Sequence, residues 1–138
     1  MKMLKAEKHE WIANLLSGAY KQGTGVLNNT KDNTFCCLGV LCDTVKERTN
    51  LTITQDGNGD TCYNDDMHGL CKALRDRFHA EDAAGFRVPV EMLTSEELKD
   101  QNVVHSKGVA GIWISDLNDT GMPFSRIAQL IDACVEAV

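Results

Sequence analysis

Apolar residues recur at helical spacing near both ends of the chain. At the N-terminal end, this pattern predicts a helix over residues 4–16 that Gly18 ends, with Trp11 as a core anchor. The apolar side of this helix consists of Leu4, Trp11, Ile12, Leu15 and Leu16. At the C-terminal end, Pro123 suits the first position of a last helix. The inner face of that last helix consists of Phe124, Ile127, Ala128, Ile131, Cys134 and Val135.

The most apolar segment lies between these two helices and carries three of the six cysteines. It predicts a buried helix over residues 35–48, with a side-chain oxygen of Asn33 or Thr34 as its cap. One face of this helix follows the i, i+3, i+4, i+7 spacing and consists of Leu38, Leu41, Cys42 and Val45. We call this segment the cysteine helix and expect it to be central to the fold.

Two further helices are expected in the second half of the chain. The first runs from Asp65 or Asp66 to His79. Its apolar stripe consists of Met67, Leu70, Cys71, Leu74 and Phe78. The second is short and covers residues 95–100, because Thr94 and Glu97 form a capping-box pattern.

Alternating and β-branched segments predict the strands. Residues 51–55 and 61–63 are expected to form a hairpin around the turn cluster at 56–60. Residues 109–114 are expected to form a buried strand that leads into a polar turn at 115–121.

Two weaker extended segments are expected at residues 25–28 and 103–106. Together these patterns predict one α+β domain over residues 1–138. In it, about four helices pack on a small, mostly antiparallel sheet.

Charge and composition narrow the functional classes. The 138 residues carry a formal net charge of −6, and the basic residues are scattered along the chain. Direct nucleic-acid binding is therefore not expected, because it normally requires a basic face. No apolar run reaches the length of a membrane span, and the charged first residues contain no apolar signal core. We expect a cytoplasmic protein with reduced thiols and no membrane attachment.

Three partial ligand motifs are present, and none is complete. The glycine-rich segment 18–25 has Thr24 where a phosphate loop needs lysine, and the calcium-like turn at 56–60 has Met67 where a calcium loop needs glutamate. A third set with metal-ligand chemistry consists of Cys62, His68 and Cys71. Spacing identifies no fourth ligand for it, so core or surface roles are favoured. We predict no metal site and no cofactor.

Cys36 and Cys37 allow two interpretations. In the first turn of a helix, the positive end of the helix dipole favours the thiolate. A cysteine hydrolase or transferase would then combine Cys36 or Cys37 with His105, and with Asn118 or Asp119 to orient the imidazole. The alternative is that both cysteines are small buried hydrophobes. The second interpretation is favoured, because two adjacent cysteines compete for one role and a flanking protease signature is absent.

Three motifs together resemble a family of small proteins that phages and prophages encode. They are W-x3-L-x-S-G-x-Y-x-Q-G-x2-V-L over residues 11–27, F-C-C-L-G-V-L-C-D over 35–43, and L-N-D-x-G-x2-F-x2-I-A over 117–128. Two features depart from the family pattern: residues 50–85 lack it, and Pro123 replaces a Ser or Thr helix cap. The family has no established activity, but small accessory phage proteins often bind and disable a host component.

This resemblance implies a non-enzymatic accessory protein that engages a host protein or sequesters a small signalling ligand, in a counter-defence role. The candidate ligand-binding residues are Tyr20, Gln22, Asn118 and Asp119. Asn118 and Asp119 have a structural alternative, because such side chains often bond to nearby backbone N–H groups in a turn. Homodimerisation is a further open alternative, since small binding proteins often dimerise.

Overall fold

The computed structural model describes residues 1–138 and contains six α-helices. They are α1 (Lys5–Leu16), α2 (Cys37–Val45), α3 (Lys72–Phe78), α4 (Ser95–Leu98), α5 (Ile114–Asp119) and α6 (Phe124–Cys134). A short 3-10 helix at Val90–Met92 precedes α4. Each of α1, α2 and α6 is longer than two turns, and these three helices provide most of the helical surface of the core.

Ten short strands form three separate sheets. They are β1 (Lys2–Met3), β2 (Lys21–Gln22), β3 (Asn28–Asn29), β4 (Thr34–Phe35), β5 (Ile53–Gln55), β6 (Asp60–Tyr63), β7 (Arg87–Pro89), β8 (Val104–Ser106), β9 (Val109–Trp113) and β10 (Glu136–Ala137). The sheet orders are β1-β10, β2-β4-β3-β6-β5 and β7-β9-β8. Only the β1–β10 and β2–β4 pairs are parallel. The predicted α+β class is confirmed, with the strands distributed over three sheets rather than one.

Helix α2 lies at the centre of a hydrophobic cluster of 30 buried residues. Seven of its nine residues are buried, and it packs against both α1 and α5. The indole Nε1 of Trp11 donates a hydrogen bond to the Cys37 carbonyl at 2.9 Å, and Trp11 is fully buried. The expectations of a central cysteine helix and of Trp11 as a core anchor are both confirmed.

The start of α2 differs from the prediction. Thr34 and Phe35 belong to strand β4, which pairs with β2 and β3, so neither Asn33 nor Thr34 caps the helix. Cys36 is the N-cap residue, and its Sγ accepts a hydrogen bond from Gly39 N at 3.4 Å. The predicted cap was wrong because strand pairing holds Thr34 and Phe35 in an extended conformation, and Asn33 before them adopts a positive φ of 54°.

Two other predicted boundaries were wrong for reasons of tertiary packing. The helix expected from Asp65 or Asp66 begins only at Lys72, because Asn64 and Asp65 adopt positive φ and Leu70 N bonds to the Ala83 carbonyl. The polar turn expected at 115–121 is instead the helix α5, whose residues Leu117 and Asn118 are fully buried.

Most of the remaining local predictions agree with the structure, but only Asn28 of the extended segment expected at residues 25–28 belongs to a strand, β3, and the helix expected over 95–100 ends at Leu98. Helices α1 and α6 lie where the apolar periodicity placed them. The β5–β6 hairpin forms, and Thr94 and Glu97 make both hydrogen bonds of the capping box. The strand predicted at residues 109–114 forms as β9, but only its residues Gly111 and Ile112 are buried. The chain contains no helix with the length and apolar character that crossing a membrane requires.

Candidate functional site

Asn118 is fully buried between α5 and the start of α2, and its side chain joins three segments of the chain. Its Oδ1 accepts hydrogen bonds from Cys37 N at 3.2 Å and from Gln22 Nε2 at 3.0 Å. Its Nδ2 donates to the Gly23 carbonyl at 2.9 Å and to Asp119 Oδ1 at 3.2 Å. Asn118 therefore has its polar atoms satisfied inside the protein.

Gln22 and Asp119 complete this network. Gln22 Nε2 also donates to the Met122 carbonyl at 2.7 Å, and its Oε1 accepts a hydrogen bond from Phe124 N at 3.2 Å. Gln22 thus supplies, from a distant segment, the helix cap that Pro123 cannot provide for α6. Asp119 Oδ1 accepts a hydrogen bond from Gly25 N at 3.0 Å.

The structure thus brings together three of the four predicted ligand-binding residues. The polar atoms of Gln22 and Asn118 bond mainly to other parts of the chain. This agrees with the structural alternative for Asn118, in which its side chain bonds to the backbone rather than to a ligand. We call the hydrogen-bonded set of Gln22, Asn118 and Asp119 the asparagine network.

The cysteines of α2 are core residues. Cys36 is 4 % exposed and Cys37 is fully buried. Burial raises the pKa of the Cys36 thiol to about 11, although hydrogen bonds from the backbone of Gly39 and Leu38 act in the opposite direction. Burial also raises the pKa of Cys37 well above its ordinary value. The helix-dipole argument for a thiolate is thus outweighed by desolvation, because loss of water disfavours the charged form.

The structure does not assemble the predicted Cys–His–Asn set. His105 lies on the edge strand β8, where it is exposed and pairs with Ala110 of β9. Its imidazole makes no hydrogen bond to Cys36 or Cys37, and Asn118 bonds to the backbone of Cys37 rather than to an imidazole. A nucleophilic thiol needs a base within hydrogen-bond distance, and this arrangement does not provide one.

The residues Cys62, His68 and Cys71 do not form a metal site in the structure. Cys62 and Cys71 are buried free thiols, whereas the ring Nδ1 of His68 lies 2.9 Å from the Gly25 carbonyl. No group of three or more His, Cys, Asp and Glu side chains is placed to hold a metal ion.

Tyr20, the fourth predicted ligand-binding residue, lies apart from the asparagine network. Its hydroxyl donates a hydrogen bond to Asp43 Oδ2 at 2.5 Å, and Lys46 Nζ donates to the other oxygen of Asp43 at 2.7 Å. The ring of Tyr20 meets Phe35 edge-on at 4.9 Å between centroids. Burial, with a further contribution from Asp43, raises the pKa of Tyr20, so its phenol is neutral and donates.

Tyr20, Asp43 and Lys46 line an open cleft of about 360 Å³, which we call the polar cleft. The cleft is formed by Glu10, Asn14, Tyr20, Asp43, Thr44, Lys46, Glu47 and Arg48. Most of its side chains are already paired with one another, as in the 2.8 Å hydrogen bond from Asn14 to Thr44 and the 2.5 Å ion pair of Arg48 with Glu10. The carboxylate of Glu47 is exposed and makes no hydrogen bond or ion pair within the protein.

Comparison with known protein families assigns nearly the whole chain to one family. The model of the family described as Domain of unknown function (DUF8296) matches residues 3–135. The chain belongs to the DUF8296 family. No curated protein and no solved structure matches it.

Of the residues that line the polar cleft of this DUF8296 protein, the sequence predicted only Tyr20 as a ligand-binding residue. Tyr20 and Asp43 both lie in the motifs on which the family resemblance was based, but they are separated by 23 positions. Nothing in either local pattern joins them, since the contact depends on how the segment after α1 lies beside α2. One local signal was available, because Lys46 follows Asp43 by three residues in a helical segment.

We expect the α2 thiols of the DUF8296 protein to resist alkylation in the native state. Burial raises the pKa of the Cys36 thiol from an ordinary value of 9.0 to about 11, which lowers the thiolate fraction at neutral pH about 100-fold. Iodoacetamide labelling followed by peptide mass spectrometry should show slow modification of Cys36 and Cys37 that continues to accelerate beyond pH 9.

Two internal comparisons support the interpretation of that labelling. The partly exposed Cys134 should react before the α2 thiols, and denaturant should equalise all the cysteines. Fast labelling of native Cys36 with a midpoint below pH 8 would contradict the core assignment and restore the thiolate hypothesis.

Proposed function

We propose that this DUF8296 protein is a phage-encoded accessory protein that binds a host protein or a small signalling ligand in the host cytoplasm, without covalent catalysis. The observation that carries the proposal is the polar cleft. It is the concave surface on which a predicted ligand-binding residue, Tyr20, faces solvent among charged side chains. The family resemblance supports the viral context, and the geometry at Tyr20 supports the binding role.

The side chains of the polar cleft are held in place before any ligand arrives. Asp43 accepts one hydrogen bond on each oxygen, from Tyr20 and from Lys46. Thr44 accepts from Asn14 and donates to the Val40 carbonyl at 2.7 Å. Such preorganisation lowers the conformational entropy that binding would otherwise remove from rotamer-rich side chains.

The charges of the polar cleft favour a polar, charged ligand over an apolar one. Three carboxylates and two cationic side chains face the same volume, and Tyr20 is its only apolar lining residue. A complementary partner surface would therefore carry charges of both signs, with a cation placed to meet Glu47. Electrostatic matching of this kind provides specificity and association rate more than raw affinity.

A non-covalent role also agrees with the position of the candidate nucleophiles. Cys36 and Cys37 lie in the core at the start of α2, and His105 is exposed on the edge strand β8. The hydrolase alternative requires these groups to meet in a rearranged state. A variant without the thiol should therefore keep a binding function and lose a hydrolase function.

The proposal is tested by phage plating on bacteria that express the protein. Wild type and Cys36→Ser should change plating efficiency equally, whereas Glu47→Lys should reduce the effect about tenfold, as expected for loss of roughly 1.4 kcal/mol of binding. Glu47 is exposed and unpaired, so its replacement should leave the melting temperature unchanged.

The matched control is Lys72→Gln, which alters an exposed charge on α3 away from the polar cleft. A folded Cys36→Ser variant without any effect on plating would overturn the proposal in favour of thiol chemistry. A fully active Glu47→Lys variant would show that the polar cleft is not the contact surface.

A further inference from the structure

A second concave site lies where strand β1 and the start of α1 meet the end of α3. This cavity of about 310 Å³ is separate from the polar cleft and shares no lining residue with it. Its lining is Lys2, Met3, Leu4, Glu7, Arg77, His79 and Val138. We call it the basic cavity, because three of these seven side chains carry cationic or N–H donor groups.

The carboxylate in the basic cavity is already neutralised. Glu7 is 2 % exposed, and its Oε2 lies 2.9 Å from Arg77 Nη2 and 3.7 Å from Arg48 Nη1. Arg77 therefore neutralises the buried carboxylate of Glu7, whereas Arg48 makes its shorter ion pair with Glu10 of the polar cleft at 2.5 Å. A buried carboxylate is stable only when it is paired in this way.

The donors of the basic cavity remain largely free. A guanidinium has five N–H donors, and Arg77 makes its one side-chain hydrogen bond to Glu7. Lys2 Nζ has only a distant partner, Glu136, at 3.9 Å between exposed side chains. The imidazole of His79 makes no side-chain hydrogen bond. A guanidinium, an ammonium and an imidazole directed at one small volume are the groups that bind an oxyanion.

Apolar surface borders the same cavity. Leu4 is 53 % exposed and Val138 is 65 % exposed, and both belong to the small set of large hydrophobic side chains that the fold leaves in water. Burying them beneath an apolar ligand segment would be favourable by about 25 cal/mol per Å². The volume of the cavity lies near the lower limit for small-molecule sites, which restricts the ligand to a short apolar body.

We propose that the basic cavity binds a small amphipathic oxyanion, with its carboxylate or phosphate on Lys2, Arg77 and His79 and its apolar chain against Leu4 and Val138. This site has a lining different from that of the polar cleft, and the Glu7–Arg48 contact at 3.7 Å connects the two. It supplies a position where a small anionic metabolite would bind the protein and stabilise the junction of β1, α1 and α3.

Octanoate is a suitable probe, because it combines a carboxylate with a short chain. A titration followed by ¹H–¹⁵N correlation spectra should move the amide signals of residues 2–7 and 77–79. Octan-1-ol, which lacks the charge, and inorganic phosphate, which lacks the chain, should each bind at least about fivefold more weakly. Equal binding of octan-1-ol or of phosphate would overturn the amphipathic assignment.

Variants locate the site and separate binding from folding. Lys2→Gln and His79→Asn should each weaken octanoate binding about fivefold without lowering the melting temperature, since neither residue contacts Glu7 and asparagine tolerates the positive φ of position 79. Lys72→Gln on the exposed side of α3 is the matched control and should bind normally. Unchanged affinity in both cavity variants, or signal changes outside the cavity, would overturn the proposal.

Discussion

Replacing Gly39 by alanine is expected to destabilise the protein by about 3 kcal/mol or more, a large fraction of the free energy of unfolding of a typical domain. A Cβ atom at position 39 would lie 1.7 Å from the Leu27 carbonyl oxygen and 2.5 Å from its carbon. Both are backbone atoms, so no rotamer change relieves the clash. In an ordinary exposed helix the same substitution would stabilise by about 1 kcal/mol, so the sign of the effect is diagnostic.

The backbone of Leu27 cannot move away, because hydrogen bonds hold it on both sides. Its N–H donates to the Met67 carbonyl at 2.7 Å, and its carbonyl accepts from Cys36 N at 3.2 Å. The side chain of Leu27 is itself fully buried. Relief of the clash would therefore require α2 to separate from this segment and would open the core.

Urea unfolding followed by circular dichroism measures this effect. The matched control is Gly57→Ala, because a Cβ at position 57 meets no heavy atom within 4 Å. That control should change the free energy of unfolding by less than about 1 kcal/mol. An unchanged unfolding midpoint for Gly39→Ala would contradict the close packing of α2 on Leu27.

The close contact of Gly39 with the Leu27 backbone could not be predicted from the sequence. Apolar periodicity correctly identified one buried face of α2, but it does not show that a backbone segment covers the opposite side at Gly39. Local patterns were sufficient for α1, α6, the β5–β6 hairpin and the capping box, because each is determined by residues within a few positions of one another.

Helix α5 was missed because its residues carry the composition of a turn. Asp116, Asn118 and Asp119 favour turns when their side chains bond to the nearby backbone. Here Asn118 bonds instead to Gly23 and Cys37, which are 95 and 81 positions away. Long-range contacts of this kind override local propensity, and a single sequence contains no signal for them.

In the candidate site, too, local sequence patterns predicted the individual residues but not the long-range contacts between them. The two motifs containing Gln22 and Asn118 were recognised separately, and their meeting in one network was outside the reach of spacing arguments. The ambiguity at Cys36 was of a different kind. The dipole favours the thiolate and burial favours the thiol, and only the packed structure shows that burial dominates.

Replacement of Asn118 by alanine is the second substitution with a large expected effect, a loss of about 3 kcal/mol in the free energy of unfolding. The change would leave the Cys37 N–H and the Gly23 carbonyl without the partners they have at 3.2 and 2.9 Å. Each unsatisfied buried group costs about 1–3 kcal/mol. Gln22 would also lose one partner and hold the start of α6 less firmly.

The same variant separates the two roles assigned to Asn118. If the asparagine network is structural, Asn118→Ala lowers the urea midpoint and increases native alkylation of Cys37, because the start of α2 is loosened. Asn102→Ala, at an exposed position without side-chain hydrogen bonds, should leave both measurements unchanged. A ligand contact would give the opposite pattern, with full stability and a lost effect on phage plating. Because all polar atoms of Asn118 are already bonded within the protein, we expect the structural result.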